Sequence, residues 1–473
     1  MPNKYFYINT IGCQMNVYDS DQIGIRLSAL GYQQTESPER ADLVIVNTCT
    51  IRAKAEQKAF SFLGRLAGLK RKKPRLIIGI GGCVAQQEGK AILKRVPHVD
   101  LVFGTQAIDR LPHLIQKIED KRCRIVDVAM ANDPNMADAV LSPQRDTQIS
   151  RFVTIMQGCD NYCTYCVVPH VRGRETSRPP DRIVTEIKEL VQSGVKEVIL
   201  LGQNVNSYGK KEGLCSFPDL LSRVNAIEGL MRLRFTTSHP KDFDEDLINA
   251  FRINEKLCDH IHLPVQSGSN RVLKRMNRRY TRELYLDKVA KLRDTCTQIA
   301  ITSDMIVGFP GETDADFDET LDLIKAVAFD GLFAFMYSDR PQAPAAKLKD
   351  KVSEQRKRKR LQILLALQEN ITKIKNQALV GSIQPIIVEG FSKRQPSGSL
   401  DHPHSAVQWT GRTSTNKIVH FHQNENSENC SVIGPGRLVQ VKIEDAYSHS
   451  LWGKPVENQI TAEGLKGEQC YAA

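Results

Sequence analysis

The chain has 473 residues, which is enough for roughly two to four domains, and its 41% hydrophobic and 25% charged residues are ordinary for a globular protein. It has no apolar run long enough to cross a membrane and no secretion signal, so we expect a cytoplasmic protein without a membrane partner. The net charge of +11 indicates a polyanionic partner such as nucleic acid.

The first part of the chain, residues 3–122, alternates strand patterns with helical patterns. The predicted strands are residues 5–10, 42–47 and 75–80, and the helical patterns that follow them are residues 19–30, 53–66 and 87–95. Such alternation predicts a doubly wound α/β domain, in which helices cover both faces of a parallel sheet.

A cysteine follows each of these three strands: Cys13, Cys49 and Cys83. The carboxyl ends of parallel strands share one edge, where open sheets bind ligands. A single buried cysteine at such a place is usually inert packing. Three in matching places, in a cytoplasmic protein with 12 cysteines, predict one shared iron–sulfur cluster that leaves one iron without a protein ligand.

A segment rich in Asp, Asn, Pro and Ala, residues 123–150, is predicted to be a linker. Strand–helix alternation resumes in residues 151–375, with predicted strands at residues 152–156, 197–201, 232–236, 260–263, 299–307 and 332–337. Six β/α units predict a partial (β/α)6 barrel, and its chemistry is expected at the carboxyl-terminal mouth.

The loop after the first of these strands carries Cys159, Cys163 and Cys166 in the spacing C-x-x-x-C-x-x-C. Three thiolates on one short loop can hold three irons of a four-iron cluster, which leaves the fourth iron open for chemistry. The alternative is a structural zinc site with His170 as the fourth ligand. Zinc sites of this type normally contain a second cysteine pair, and the sequence has none at a suitable distance.

Polar motifs follow the other barrel strands. Gly202, Gln203 and Asn204 follow the second strand, Ser238 the third, Gln266 the fourth and Gly308 the fifth. Turn formation and helix capping explain many such residues. Their common position at the mouth nevertheless predicts that they contact a ligand.

The last part of the chain combines a basic helix with a small β domain. The helical pattern of residues 350–376 includes a run of five basic residues, 356–360, which is either a solvated face or a tRNA-facing surface. Residues 376–450 contain short strand patterns that predict a small nucleic-acid-binding β-barrel. Its candidate contacts are the cations Arg412, Lys417, Arg437 and Lys442 and the stacking side chains Trp409 and Phe421.

These motifs resemble a known family. The Cys159, Cys163 and Cys166 spacing is similar to the signature of radical S-adenosylmethionine enzymes. The run 158–169 and the segment 172–175 resemble their methylthiotransferase branch, and residues 12–16, 47–52 and 82–86 resemble that branch's N-terminal domain. The resemblance spans about residues 3 to 450 and includes a C-terminal TRAM domain.

The resemblance implies two [4Fe-4S] clusters and S-adenosyl-L-methionine as cofactors. The cluster on Cys159, Cys163 and Cys166 would bind S-adenosylmethionine, with contacts from the second-strand motif at Gly202, and the cluster on Cys13, Cys49 and Cys83 would carry sulfur. The implied reaction is methylthiolation of C2 of N6-isopentenyladenosine beside the tRNA anticodon. The alternatives are threonylcarbamoyl adenosine in tRNA, an aspartate of a ribosomal protein, or a metalloprotein without this activity.

The implied partners are the tRNA anticodon arm, an electron donor such as flavodoxin or ferredoxin, and a separate sulfur donor. The chain itself is expected to act as a monomer.

Overall fold

The computed structural model describes residues 4–50, 53–130, 148–392, 408–422 and 433–456. The N-terminal domain is built on a six-stranded sheet in which every strand pair is parallel. In the order β2-β1-β3-β4-β5-β6, its strands are β1 (Lys4–Ile11), β2 (Tyr32–Gln34), β3 (Leu43–Thr48), β4 (Ile77–Gly82), β5 (Leu101–Phe103) and β6 (Ile125–Asp127).

Helices cover both faces of this sheet, so the predicted doubly wound domain is confirmed. They are α1 (Gln14–Ala29), α2 (Ala53–Lys72), α3 (Cys83–Glu88), α4 (Ala91–Arg95) and α5 (Leu111–Lys121). Leu27 and Ile115 bring α1 and α5 onto the face that carries Ile45. Leu63 and Ile92 bring α2 and α4 onto the opposite face. Strand β6 pairs with β5 inside the predicted linker, whose residues 131–147 lie outside the described part of the chain.

The central domain is the predicted partial barrel. Two three-stranded parallel sheets, ordered β11-β10-β7 and β12-β13-β14, meet through a single bridge between Leu233 and Leu257. The strands of these two sheets are β7 (Ser150–Thr154), β10 (Glu197–Leu201), β11 (Arg232–Phe235), β12 (His260–His262), β13 (Ala300–Val307) and β14 (Gly331–Met336). Two short strands, β8 (Met156–Gln157) and β9 (Thr176–Ser177), form a separate antiparallel pair. Strands β7 and β14 are the two ends of this wall.

The helices of this domain lie between the barrel strands and after them. They are α6 (Val168–Val171), α7 (Pro180–Gln192), α8 (Phe217–Asn225), α9 (Glu245–Ile253), α10 (Asn270–Arg275), α11 (Arg282–Thr295), α12 (Asp314–Val327) and α13 (Glu354–Gln377), with 3-10 turns at Val205–Ser207, Pro240–Asp242 and Pro344–Lys347. Among the described residues, none of these helices or those of the N-terminal domain combines the length and the apolarity needed to cross a bilayer.

The C-terminal domain is a closed barrel, as predicted. Its order is β15-β16-β17-β19-β18, with β15 (Ile383–Phe391), β16 (Gln408–Arg412), β17 (Ile418–His422), β18 (Leu438–Ala446) and β19 (Leu451–Pro455). The sequence pattern did not predict β16 or β19, and β19 lies beyond the predicted domain end at residue 450. It belongs to the barrel because it pairs with both β17 and β18.

Buried arginines attach this small barrel to the amino-terminal ends of the central strands. At the start of β11, Arg232 donates to the carbonyl of Pro385 at 2.8 Å. Arg234 donates to the carbonyls of Thr413 and Ser414 at 2.7 and 2.8 Å, and its Nε donates to Glu197 at 3.0 Å. The turn between β16 and β17 therefore closes the amino-terminal end of the central barrel and leaves the opposite end for the cysteine loop.

The basic run 356–360 at the start of α13 divides into two groups. Arg360 is buried and pairs with Glu312 at 2.6 Å and with Asp314 at 2.7 Å. Lys357 is also buried. The other three residues of the run are exposed and can reach a partner: Arg356, Arg358 and Lys359. The run is therefore partly structural and partly a solvent-facing surface.

Replacing Arg234 by Ala should lower the free energy of unfolding by about 3–5 kcal/mol, because the change leaves the Glu197 carboxylate buried without its cation. The midpoint of urea unfolding measures the loss. Lys325→Ala, on an exposed face of α12, is the control and should change stability by about 0.5 kcal/mol or less. An unchanged midpoint for Arg234→Ala would show that Arg234 does not anchor the small barrel to the central domain.

Candidate active site

Cys13, Cys49 and Cys83, here called the N-terminal thiol cluster, converge at one edge of the first sheet. They follow β1, β3 and β4, which are neighbours in the strand order. The order reverses beside β1, and open sheets bind ligands at such a switch point. The side chain of Cys49 forms hydrogen bonds with both Cys13 and Cys83. The structure therefore brings together all three thiols that the sequence placed at strand ends.

Two glycines allow the strands to end this close together. A Cβ at Gly12 would lie 2.8 Å from the Cβ of Cys49. Gly82 has a φ of 88°, and a Cβ there would lie 2.6 Å from the carbonyl oxygen of Thr48. Any larger residue at either position would push the strand ends apart.

The charge around this cluster favours thiolates. The hydrogen bond from Cys49 lowers the pKa of Cys13 to about 6, and the nearby Arg172 guanidinium acts in the same direction. The pKa of Cys83 is lowered by the same two groups, whereas that of Cys49 is raised because it donates to both neighbours. Arg172 is buried and donates to Asp19 at 2.6 Å. A soft, all-sulfur donor set beside a buried cation suits an iron–sulfur core.

Cys159, Cys163 and Cys166, here called the loop thiol cluster, lie between β8 and α6. Burial raises the pKa of Cys159 to about 11. Burial and the neighbouring Cys163 raise that of Cys166 to about 12. These two thiols are therefore protonated near neutral pH in the metal-free chain, and binding of a metal core has to displace their protons.

Two side chains from distant loops contact Cys163. His239 belongs to the polar motif that begins at Ser238 and was predicted to lie at the mouth, whereas nothing in the sequence indicated a role for Arg278. The Arg278 guanidinium donates to the Cys163 sulfur at 3.3 Å. The His239 Nε2 lies 4.0 Å from the same sulfur, while its Nδ1 accepts from the Lys241 amide at 3.2 Å, so Nε2 carries the proton. Burial and Arg278 lower the pKa of His239. The neutral ring therefore directs an N–H toward the thiol.

The zinc alternative fits this geometry poorly. His170, its proposed fourth ligand, is exposed on α6. Within the described ranges, no three or more His, Cys, Asp or Glu side chains converge closely enough to hold one metal ion. A four-iron core places a different iron under each thiolate, so its ligands need not meet at a single point.

Unsatisfied polar atoms surround the loop thiol cluster. The Gln203 side-chain oxygen accepts from the Gly158 amide at 2.5 Å. The remaining atoms are buried and have no hydrogen-bond partner in the described residues: Gln203 Nε2, Asn204 Oδ1, Ser238 Oγ, Gln157 Nε2 and Asn206 Oδ1. Because buried polar atoms are normally paired, these atoms have unused capacity to bind a polar ligand.

Two further predicted ligand contacts have structural explanations of their own. Gln266 has a φ of 74°, and its backbone bonds to Asp304 and Ile306 of β13. Gly308 has a φ of 71°, and a Cβ there would lie 2.3 Å from Cγ of Lys357. Gln266 and Gly308 thus shape the mouth through turns and packing, and their contact with a ligand stays a prediction.

The two thiol clusters face each other across the domain boundary. Cys83 packs in one apolar cluster with Val167 and Val171, which follow Cys166 along the chain. Thr105 of the N-terminal domain donates to the Val171 carbonyl at 2.8 Å. The carboxyl-terminal edges of both sheets therefore meet at one place.

The candidate nucleic-acid contacts of the small barrel need correction. Trp409 and Phe421 lie in its core, so they are not available for stacking on bases. Arg412 pairs with Glu389 at 2.8 Å, and Lys417 pairs with Asp330 at 3.3 Å. Alternation along a short strand does not reveal which face of a closed barrel is internal, and this is why the sequence misplaced Trp409 and Phe421.

The exposed side chains of the barrel lie elsewhere on its surface. Arg437 and Lys442 are exposed. Phe391 is 62% exposed, and its ring lies 4.4 Å from that of Trp409. Phe391, which the sequence analysis did not consider, is therefore the accessible aromatic side chain beside Trp409.

Comparisons with known proteins agree with this architecture. Family models match residues 5–104 ("Uncharacterized protein family UPF0004"), 153–324 ("Radical SAM superfamily") and 377–456 ("TRAM domain"). A tRNA-2-methylthio-N(6)-dimethylallyladenosine synthase of Desulfosudis oleivorans is 55% identical over 95% of this chain and 96% of its own length. One from Syntrophus aciditrophicus is 52% identical over 97% of this chain and 96% of its own length.

A solved structure shows similarity of fold alone. The radical S-adenosylmethionine methyltransferase TsrM from Kitasatospora setae, solved with tryptophan substrate and a SAM analog bound, aligns with a TM-score of 0.54 at 14% identity. The alignment covers 73% of this chain and 75% of that one.

Replacing Arg278 by Met should lower the midpoint potential of an iron–sulfur core held on Cys163 by about 50–100 mV, because a buried positive charge near the reduced core is lost. A redox titration of anaerobically reconstituted protein, followed by electron paramagnetic resonance, measures the shift. Arg278→Lys keeps the charge and should shift the potential less. Equal potentials in wild type and the Met variant would exclude this electrostatic role.

Proposed function

The chain belongs to the family of tRNA-2-methylthio-N(6)-dimethylallyladenosine synthases, and on that basis we propose that it methylthiolates C2 of N6-isopentenyladenosine beside the anticodon of tRNA. It is a radical S-adenosylmethionine transferase whose cofactors are S-adenosylmethionine and two four-iron clusters. The observation that carries the proposal is the contact of Cys83 with Val167 and Val171, because a base lying at this boundary reaches both thiol clusters.

The six cysteines are the proposed ligands, three for each iron–sulfur cluster. An iron–sulfur group held by Cys159, Cys163 and Cys166 would supply one electron to S-adenosylmethionine. That electron would break a carbon–sulfur bond, release methionine and leave a carbon radical able to take the hydrogen from the unactivated C2–H bond. The chain's own contribution is positional and electrostatic. Arg278 and His239 donate to Cys163, while Arg172 and Asp19 occupy the boundary beside Cys13 and Cys83.

The residues proposed to hold S-adenosylmethionine are those with unused polar atoms at the mouth. Gln203, Asn204 and Ser238 each present one. Gly202 allows the end of β10 to pack closely against the start of the cysteine loop, because a Cβ there would lie 2.5 Å from Cγ of Met156. The amino and carboxylate groups of the methionine moiety are the charged parts of the ligand that such atoms can pair with.

The tRNA anticodon arm is proposed to lie along the exposed cations of the small barrel and of α13. Arg437 and Lys442 on the barrel, and Arg356, Arg358 and Lys359 on the helix, are exposed. Phosphate contacts of this kind supply affinity without sequence preference. The base itself must leave the helical stack to enter the boundary between the domains.

Several finer points complete the proposal. Electrons come from a protein of the flavodoxin or ferredoxin type, and sulfur comes from a separate donor. The chain acts as a monomer, because both thiol clusters and the RNA-binding barrel belong to one polypeptide. Threonylcarbamoyl adenosine and a ribosomal aspartate are the alternative targets, and the names of the relatives favour the isopentenylated base.

Cys49→Ala and Cys163→Ala should separate the two clusters. Reconstituted wild-type protein should bind about eight irons and each variant about four. Cys49→Ala should keep S-adenosylmethionine cleavage but form no methylthiolated nucleoside, whereas Cys163→Ala should lose both. Iron analysis, a dithionite-driven cleavage assay and mass spectrometry of tRNA nucleosides measure these outcomes. Cys215→Ala is the control, and methylthiolated product from Cys49→Ala would refute the sulfur-carrier role.

Replacing Arg437 and Lys442 together by Ala should weaken tRNA binding and reduce the slope of log affinity against log salt by about 1 to 2, since each phosphate contact contributes about 0.7–0.9. Fluorescence anisotropy at several salt concentrations measures both quantities. Lys325→Ala removes a cation from the exposed face of α12 and should leave the slope unchanged. A slope equal to that of wild type in the double variant would remove this surface from the tRNA interface.

A further inference from the structure

The inner wall of the central barrel carries two aromatic side chains that the fold leaves uncovered. On β14, Leu332, Ala334 and Met336 pack against the helix-covered core. Side chains alternate along a strand, so Phe333 and Phe335 face the opposite way, into the barrel. They are 53% and 37% exposed. Because β14 is an end strand of the barrel wall, these rings stand beside its open side.

The neighbouring strand adds a polar pair beside these rings. Asp304 and Ile306 of β13 are in register with Phe333 and Phe335 and share their face. The ring of His262 meets that of Phe333 edge-on at 5.9 Å, and His262 Nε2 lies 3.5 Å from Asp304 Oδ1. One short stretch of wall thus combines two exposed apolar rings with a neighbouring histidine and aspartate.

The opposite wall repeats the apolar character. Ile199 of β10 lies between Val198 and Leu200, which both face the helix-covered core, so Ile199 faces inward. Phe152 of β7 is in register with it, and both are partly exposed. The C-terminal barrel closes one end of this space through the contacts of Arg234, and the loop thiol cluster occupies the other end. Apolar walls with a few placed polar groups are typical of a small-molecule site.

We propose that Phe333 and Phe335 form the apolar wall that receives the N6-isopentenyl group of the target adenosine, with His262 and Asp304 at the polar edge of the base. This inference rests on the proposed function and specifies how the same site selects its substrate. The isopentenyl group is a branched, uncharged five-carbon chain, and its transfer from water to an apolar site lowers the free energy. A threonylcarbamoyl group would place its carboxylate against two apolar rings and the Asp304 carboxylate, and that contact is unfavourable.

The chemistry of the base is compatible with this placement. In adenine, N6 and C2 lie on either side of N1. A base that sends its N6 substituent between the barrel walls can therefore keep C2 at the mouth, where the two thiol clusters meet.

The test measures binding preference in the full-length, reconstituted protein. Two anticodon stem-loop RNAs are compared, one with N6-isopentenyladenosine and one with unmodified adenosine at the target position. Wild type should prefer the first, and the double variant Phe333→Ser, Phe335→Ser should lose that preference by about 10- to 100-fold, with unchanged affinity for the unmodified RNA. The double variant Phe333→Leu, Phe335→Leu keeps the wall apolar and should keep most of the preference for the isopentenylated RNA. Ile253→Ala, at a 67% exposed apolar residue on α9, is the control.

Separate readouts distinguish failure of this inference from failure of the proposed function. Iron content and RNA-independent S-adenosylmethionine cleavage should stay at wild-type values in all variants, which shows that the barrel is folded. The wall assignment is wrong if wild type forms methylthiolated product and the Ser variant keeps the preference. It is also wrong if the Leu variant loses the preference as fully as the Ser variant does. If wild type forms no methylthiolated product, the proposed function itself fails. Should the Ser double variant not fold, the single variant Phe333→Ser, at the more exposed of the two rings, makes the same comparison, and an unchanged preference in it would refute the wall assignment.

Discussion

Neighbouring strands run parallel in the six-stranded sheet and in the three-stranded sheet β11-β10-β7, and this direction is the constraint from which the site follows. Parallel strands release the chain at one end, so cysteines at three strand ends must share an edge even when 70 residues separate the first from the last. The loop thiol cluster leaves its own barrel at the corresponding end. The domains then need only to meet edge to edge for both clusters to reach one substrate.

Buried arginines hold that arrangement together. Arg172 connects the segment after the loop thiol cluster to Asp19 of the N-terminal domain, Arg278 supports Cys163, and Arg234 attaches the small barrel. A buried cation is costly unless it is paired and fully hydrogen-bonded. Each of these guanidinium groups has an anion, a thiol or several carbonyls as partners. Removing one partner leaves an unpaired charge in the low-dielectric interior, which is unfavourable. These contacts therefore also restrict the relative positions of the domains.

The two ends of the central barrel serve different purposes. The amino-terminal end is closed by the turn between β16 and β17, whose Thr413 and Ser414 carbonyls accept from Arg234. The carboxyl-terminal end carries the loop thiol cluster and the unpaired polar atoms of Gln203 and Ser238. The small barrel is therefore both a candidate RNA-binding surface and a plug for the barrel. This double role explains why Lys417, a candidate RNA contact, is instead paired with Asp330.

Local patterns in the sequence determined the strand–helix alternation, the two thiol trios and the glycines beside them, because periodicity and residue spacing are short-range properties. Once the strands are parallel, that spacing also fixes where the cysteines lie in the sheet. They could not determine that Arg172 meets Asp19 or that Arg278 meets Cys163, since these partners are 153 and 115 residues apart. Nor could they show that Trp409 and Phe421 are internal while Phe333 and Phe335 are uncovered. Burial of one ring and exposure of another depend on which surfaces the folded domains bring into contact, and only the tertiary structure decided that.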